Sequence, residues 1–226
     1  QDMKMNTNSN VYTIVYAAVM VIIVAFLLAF VSSSLKDIQD NNVKKDVKKQ
    51  ILSALNIEAT DANVDETYAA VITDNLLNGT ELTEVSADEF KTSYNSEIKQ
   101  GKFHVFVAKL ENGETKYVFP VYGAGLWGPI WGYVVLSEDN STVKGVTFSH
   151  KSETPGLGAK ITEEDFTRSF IGKKLYDKDG NFISIKVVPK GKGGNIAEEN
   201  RVDAISGATI TSKGVDKMLQ ELKIEN

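Results

Sequence analysis

The sequence predicts an α+β protein, an antiparallel-sheet domain with flanking helices carried on a single N-terminal transmembrane helix. Three observations predict it. Residues 11–31 read VYTIVYAAVMVIIVAFLLAFV, 21 residues without a charge, and about 20 apolar residues cross the hydrocarbon core as a helix. Four strand-like segments between residues 103 and 148 are separated by turn residues. The chain then closes on apolar positions at helical spacing, Val215, Met218, Leu219 and Leu222.

Residues 1–10 read as a tail and 11–31 as the span, with Tyr12 and Tyr16 suited to an interfacial belt. A cleaved signal peptide has an h-region of only about 7–15 residues, so an uncleaved anchor is expected. Residues 32–55 form an amphipathic stalk: Leu35, Ile38, Val43, Val47, Ile51 and Leu55 fall near one face and lysines on the other. The lysines read as a solvated face, with lipid headgroups as the alternative partner. Residues 56–226 form one domain. Its first thirty residues, 56–85, are polar and resist assignment. Ser86–Glu89 is a capping box that starts a helix to about Lys99. Strands are expected at 103–107, 115–122, 130–136 and 143–148, with turns at Asn112-Gly113 and Asp139-Asn140. A short helix is expected over 162–170, a strand over 182–188 and the final helix over 212–223.

Composition excludes several functions. The formal charge is −5 with acids and bases mixed, unlike a nucleic-acid binder. There is no cysteine, hence no disulfide, thiolate catalysis or cysteine-ligated iron–sulfur cluster. His104 and His150 are the only histidines, too few for a convincing transition-metal site. Redox work would need an organic cofactor. No G-x-G-x-x-G follows a strand, so this chain is not expected to bind NADH.

Three glycine-bearing loops carry the chemical interest. Gly123-Ala-Gly-Leu-Trp-Gly-Pro-Ile-Trp-Gly132 suits either a planar aromatic ligand beside Trp127 or a hairpin with packed tryptophans. Glu153-Thr154-Pro155-Gly156-Leu157-Gly158 is either a plain turn or a place where a flat ligand approaches the backbone. Asp203-Ala-Ile-Ser206-Gly207-Ala208-Thr209-Ile-Thr211 precedes the final helix. A helix N-terminus presents free N–H groups and binds phosphate, and Lys213 adds a cation. Thr209 or Thr211 acting only as an N-cap fits the residues equally well. Lys190-Gly-Lys-Gly-Gly194 lacks the P-loop pattern and reads as a mobile loop.

Taken together, Asp203-x-x-Ser206-Gly207-Ala208-Thr209 and Glu153-Thr-Pro-Gly-Leu-Gly158 resemble the two signatures of the covalently flavinylated FMN-binding domain family. With the membrane helix and Gly125-Leu126-Trp127, the chain is most similar within it to the C subunits of Na+-translocating NADH:quinone reductases. The G subunits of the related Rnf ferredoxin:NAD oxidoreductases are the alternative. The resemblance implies an electron-carrying subunit with covalent FMN, attached by a flavin transferase through a phosphoester to Thr209. It implies Ser206, Gly207, Ala208, Thr211 and Lys213 at the phosphate end, and Asp203 as a residue read by the transferase. Thr154, Gly156, Leu157 and Gly158 would line the flavin ring, with Glu153 and Trp127 beside them. Thr211 or Ser212 is left as the helix cap. No residue is implied as a proton-transfer catalyst. The implied partners are the other subunits of the membrane complex, the transferase and membrane lipid. The implied location is the bacterial inner membrane with the domain on the periplasmic side, which opposes the lysine count beyond the span. That count positions long domains poorly. Two other classes stand against this reading. One is an anchored binding domain without flavin; the other is a hydrolase using Ser206 or Thr209, for which no base lies near in sequence.

Overall fold

The computed structural model describes residues 9–78, 81–85 and 102–222. The expected helix over 86–99 lies outside the described residues. The chain divides into two compact units, residues 1–44 and 45–226. The division falls inside the expected stalk rather than at its end. Helix α1 (Asn10–Ala54) runs unbroken for 45 residues. In its first half Val11, Ile14, Ile22, Phe26, Leu28 and Phe30 are all exposed. A helix apolar all round suits a bilayer rather than a solvated surface.

The second unit holds a six-stranded antiparallel sheet in the order β2-β1-β3-β4-β5-β6. Its strands are β1 (Ile72–Asn78), β2 (Glu81–Glu84), β3 (Lys102–Lys109), β4 (Thr115–Ala124), β5 (Pro129–Leu136) and β6 (Val143–His150). The last four sit where the apolar segments predict. Successive side chains point to opposite faces of a strand. Val105 and Val107 join one apolar cluster, and Phe106 and Ala108 the other. Both faces of the sheet are therefore covered.

The covers come from opposite ends of the chain. One face packs against Val47, Ile51, Leu52 and Leu55, with Val64 and Tyr68 of α2 (Val64–Val71). The amphipathic stripe is thus realised only in its last turns, while Leu35, Ile38 and Val43 stay exposed. Trp131 Nε1 donates to Gln50 Oε1 at 3.0 Å, and Thr147 Oγ1 to Gln50 O at 3.1 Å. These bonds pin the end of α1 across β5 and β6. Lys48 pairs with Asp65, and Lys49 with Asp61, holding the following loop to the same turn. The other face packs against α3 (Glu164–Arg168) through Phe166 and against α4 (Thr209–Gln220) through Val215, Met218 and Leu219.

The segment 56–85 contains α2, β1 and β2. Its strand-like signal is hidden because β1 buries Asp74 and Asn75. Tyr68 donates its hydroxyl to Asp74 Oδ1 at 2.5 Å, which satisfies one of the two oxygens of the buried carboxylate. The expected strand over 182–188 is shorter, because Ile183 and Ser184 both donate to Leu175 O and Ser184 takes φ 61°. Only β7 (Lys186–Val188) remains, pairing in parallel with β8 (Arg201–Asp203). The expected helix over 162–170 splits into a 3-10 turn (Gly158–Thr162) and α3. Thr162 donates to Ala159 O instead of capping.

Helix α4 lies very close to the sheet. A Cβ on Gly214 would collide with the backbone carbonyl of Ala124. Gly→Ala inside an exposed helix gains about 1 kcal/mol, yet here the backbone has nowhere to move. Gly214→Ala is therefore expected to destabilise the domain, by roughly 1–3 kcal/mol. Denaturant unfolding in detergent, followed by tryptophan fluorescence, measures it; a gain in stability would contradict the close packing.

Candidate functional site

Helix α4 starts at Thr209, ahead of the expected Ser212. The N-cap position is Ala208, which offers no side-chain acceptor. Neither expected cap serves as one. Thr211 and Ser212 are each 1% exposed and turned inward. Ser212 Oγ accepts from Ile205 N at 3.1 Å, and Thr211 Oγ1 donates to Glu153 Oε2 at 2.5 Å. The cap expectation fails because both hydroxyls hold the approach loop to the core. The first-turn N–H groups have no carbonyl four residues back within the helix. Thr209, Ser206 and Gly207 are exposed beside them.

One carboxylate joins the three glycine loops. Glu153 is 5% exposed. Its Oε1 accepts from the backbone of Trp127 at 2.8 Å and its Oε2 accepts from Thr211. Glu153 N donates to His150 Nδ1 at 3.2 Å, and Ser152 Oγ to Trp127 O at 2.8 Å. Glycine is needed where the loops crowd this carboxylate. A Cβ on Gly125 would press on Oε1, and one on Gly158 on Oε2. The third loop closes from the other side. Gly207 has φ +78°, which glycine adopts freely, and a Cβ there would meet Leu157 Cδ2 at 2.9 Å. Leu157 therefore rests on the Ser206–Thr209 turn.

The sequence-predicted residues thus separate by accessibility. Trp127, Thr154, Gly156, Leu157, Ser206, Gly207, Thr209 and Lys213 are exposed, as is Asp203 at the end of β8. Glu153, Gly158, Ala208 and Thr211 are buried and shape the loops from beneath. Two apolar residues fall outside the predicted set. Leu126 and Ile210 are 49% and 54% exposed, and with Trp127 and Leu157 they project from the loops that Glu153 joins. Ile210 is signalled only by its place between Thr209 and two inward-facing groups.

A cleft of about 290 Å3 opens beside the turn. Ser206, Gly207, Thr209, Ser212 and Lys213 line it together with Val187, Pro189 and Lys190. Lys190 belongs to the loop expected to be mobile, and sequence reasoning does not find it as a site residue. A larger groove of about 460 Å3 lies between the end of α1, β6 and α3. No sequence-predicted residue lines it.

Glu153→Leu removes both acceptors and leaves Trp127 N and the buried Thr211 hydroxyl without their partner. An unsatisfied buried donor costs about 1–3 kcal/mol. We expect that loss in denaturant unfolding, together with altered Trp127 emission because its backbone anchor is removed. Unchanged stability and emission would mean that Glu153 does not organise the loops.

A family model described as FMN-binding domain matches residues 125–223, which take in the second and third loops and the first from Gly125 onward. The C subunit of the Na(+)-translocating NADH-quinone reductase of Haemophilus ducreyi is 34% identical over 202 residues, covering 80% of this chain and 77% of that protein. Its counterpart from Vibrio parahaemolyticus is 33% identical over 207 residues, covering 80% and 78%. The crystal structure of the corresponding protein from Parabacteroides distasonis superposes with TM-score 0.73 at 38% identity, over 85% of this chain and 98% of that one. Shewanella oneidensis NqrC gives TM-score 0.65 at 25% identity, over 80% and 92%. With its membrane-type helix, its antiparallel sheet domain and its three-loop site, the chain belongs to the family of C subunits of the Na(+)-translocating NADH-quinone reductases.

Proposed function

We propose that this chain is the electron-carrying flavin subunit of a Na+-pumping NADH:quinone oxidoreductase, and that it holds FMN covalently through a phosphoester on Thr209. The observation that carries the reading is the position of Thr209. Its hydroxyl is exposed on the first residue of a 12-residue helix whose N-cap supplies no side chain. Helix N-termini favour anions through free N–H groups and the helix dipole.

The residues fit the cofactor. The cleft at Ser206–Thr209 offers hydroxyls and lysines to a phosphate. Gly207 leaves the space that a Cβ would fill against Leu157. Exposed Leu126, Trp127, Leu157 and Ile210 offer apolar surface to a flat ring. When bound, the flavin supplies the redox chemistry. The protein's own part is to anchor it at Thr209, screen its phosphate and hold its surroundings rigid through Glu153. In forming the ester, the Thr209 hydroxyl loses its proton and its oxygen replaces the leaving group of an activated flavin nucleotide on phosphorus. A flavin transferase, which would read Asp203 at the exposed end of β8, is the partner for that step.

Residues 11–31 anchor the chain in the inner membrane among the other subunits and lipid, and the domain faces the periplasm. Five lysines between residues 36 and 49 would favour the cytoplasm, but three aspartates interleave with them and long domains are translocated regardless.

Two measurements test this. Full-length chain produced with the transferase should carry flavin fluorescence through a denaturing gel, Thr209→Ala should lose it entirely, and Thr211→Ala should keep the band. A band surviving in Thr209→Ala would move the attachment elsewhere. A C-terminal reporter active only outside the cytoplasm should be active; a silent reporter would reverse the orientation.

A further inference from the structure

We infer that Lys190, in the glycine-rich loop after β7, is a cofactor-binding residue that forms, with Lys213, a cationic seat for the phosphate joining flavin to Thr209. The inference rests on the reading of Thr209 as the flavin anchor. It goes beyond the flavin signatures, because Lys190 lies in neither.

The cleft brings together residues from two separated parts of the chain. Lys213 stands on α4, one turn beyond Thr209, while Lys190 lines the same cleft from the wall that follows β7. That wall is fixed at several points. Val187 N donates to Asp216 Oδ1 of α4 at 2.9 Å, and Ala204 N donates to Val188 O at 2.7 Å. The loop itself turns where Lys192 N donates to Pro189 O at 2.9 Å. It then folds down on β8. Gly193 is buried, and the place of its missing Cβ is filled by the Arg201 guanidinium. Gly193 thus serves close packing over Arg201, while Gly191 and Gly194 turn the loop at φ 74° and 53°.

The charges suit a phosphate diester. Among the described residues neither Lys190 nor Lys213 pairs with a carboxylate, whereas Lys48, Lys49 and Lys174 do. The chain has no P-loop pattern, whose run of backbone N–H groups would cradle phosphate. Two flexible ammonium groups, brought to one cleft by separate segments of the chain, supply that neutralisation instead, each as a point charge on a long stem.

The test uses the full-length chain with its transferase, as wild type, Lys190→Met, Lys190→Arg and Lys192→Met. Lys192 is exposed in the same loop and does not line the cleft. Two quantities are measured: the initial rate of covalent flavin loading on denaturing gels, and the phosphorus-31 resonance of the loaded protein. Lys190→Met should load about fivefold more slowly at low salt, the deficit shrinking as ionic strength rises. Lys190→Arg and Lys192→Met should stay within about twofold of wild type. The resonance should move in Lys190→Met and return in Lys190→Arg. Wild-type loading by Lys190→Met overturns the proposal. Slow loading with an unmoved resonance also overturns it, since the lysine would then be a contact of the transferase. If wild type carries no covalent flavin, or Thr209→Ala keeps it, the Thr209 reading itself falls; loading that depends on Thr209 but not on Lys190 sinks only this inference.

Discussion

The buried carboxylate of Glu153 is the interaction on which the site depends. Its two oxygens bind Trp127 N, 26 residues away, and Thr211 Oγ1, 58 residues away. These bonds add to the Ser152–Trp127 bond and to the contact of Leu157 with Gly207, and among the described residues Glu153 alone touches all three loops. Gly125 and Gly158 then become obligatory, because any side chain there would stand on the carboxylate. A buried acid is expensive unless its lone pairs are used. Here their use is the assembly of the site.

The sheet supplies the rigid base for this junction. Loops hold functional groups accurately only when the elements beneath them are fixed. The end of α1 covers one face and α3 and α4 the other, so β4, β5 and β6 are clamped from both sides. The clamp is close on each: Gly145 leaves room for Ala54 O, and Gly214 for Ala124 O. The same helix that begins as an apolar membrane-type span ends as a core element of the domain. A change at Gln50, which bonds both Trp131 and Thr147, therefore acts on the strands that carry the first two loops.

Much of this is legible in the sequence, and the gaps have physical causes. Strands β3 to β6 stand out because both faces of the sheet are buried, leaving dense apolar runs between turn residues. β1 does not, because Asp74 and Asn75 break its alternation, and Asp74 is partnered by Tyr68, whose hydroxyl no local pattern announces. The expected start of α4 falls too late because Thr209, Ile210 and Thr211 are poor helix formers. The competition among hydroxyls for the cap has its answer outside the segment: Thr211 is held by Glu153, and Ser212 by Ile205. Thr209 is the exposed hydroxyl that remains at the start of the helix, and it is the family resemblance that marks it as the proposed flavin anchor. Lys190 escapes a reading of the sequence since its loop matches no phosphate motif, and the loop's packing rests on contact between Gly193 and Arg201.

The exposed apolar residues complete the physical picture. Leu126, Trp127 and Leu157 are exposed on loops otherwise engaged from below, and Ile210 is exposed in the first turn of α4. Soluble domains rarely keep large apolar groups together on a surface unless something covers them. A flavin tethered at Thr209, as proposed, would need a seat for its charged end and a face for its flat one. In that arrangement the cleft with Lys190 and Lys213 would serve the first, and the apolar residues the second. A face of that kind would leave one edge of the ring open to a neighbouring subunit, as an electron carrier inside a larger complex requires.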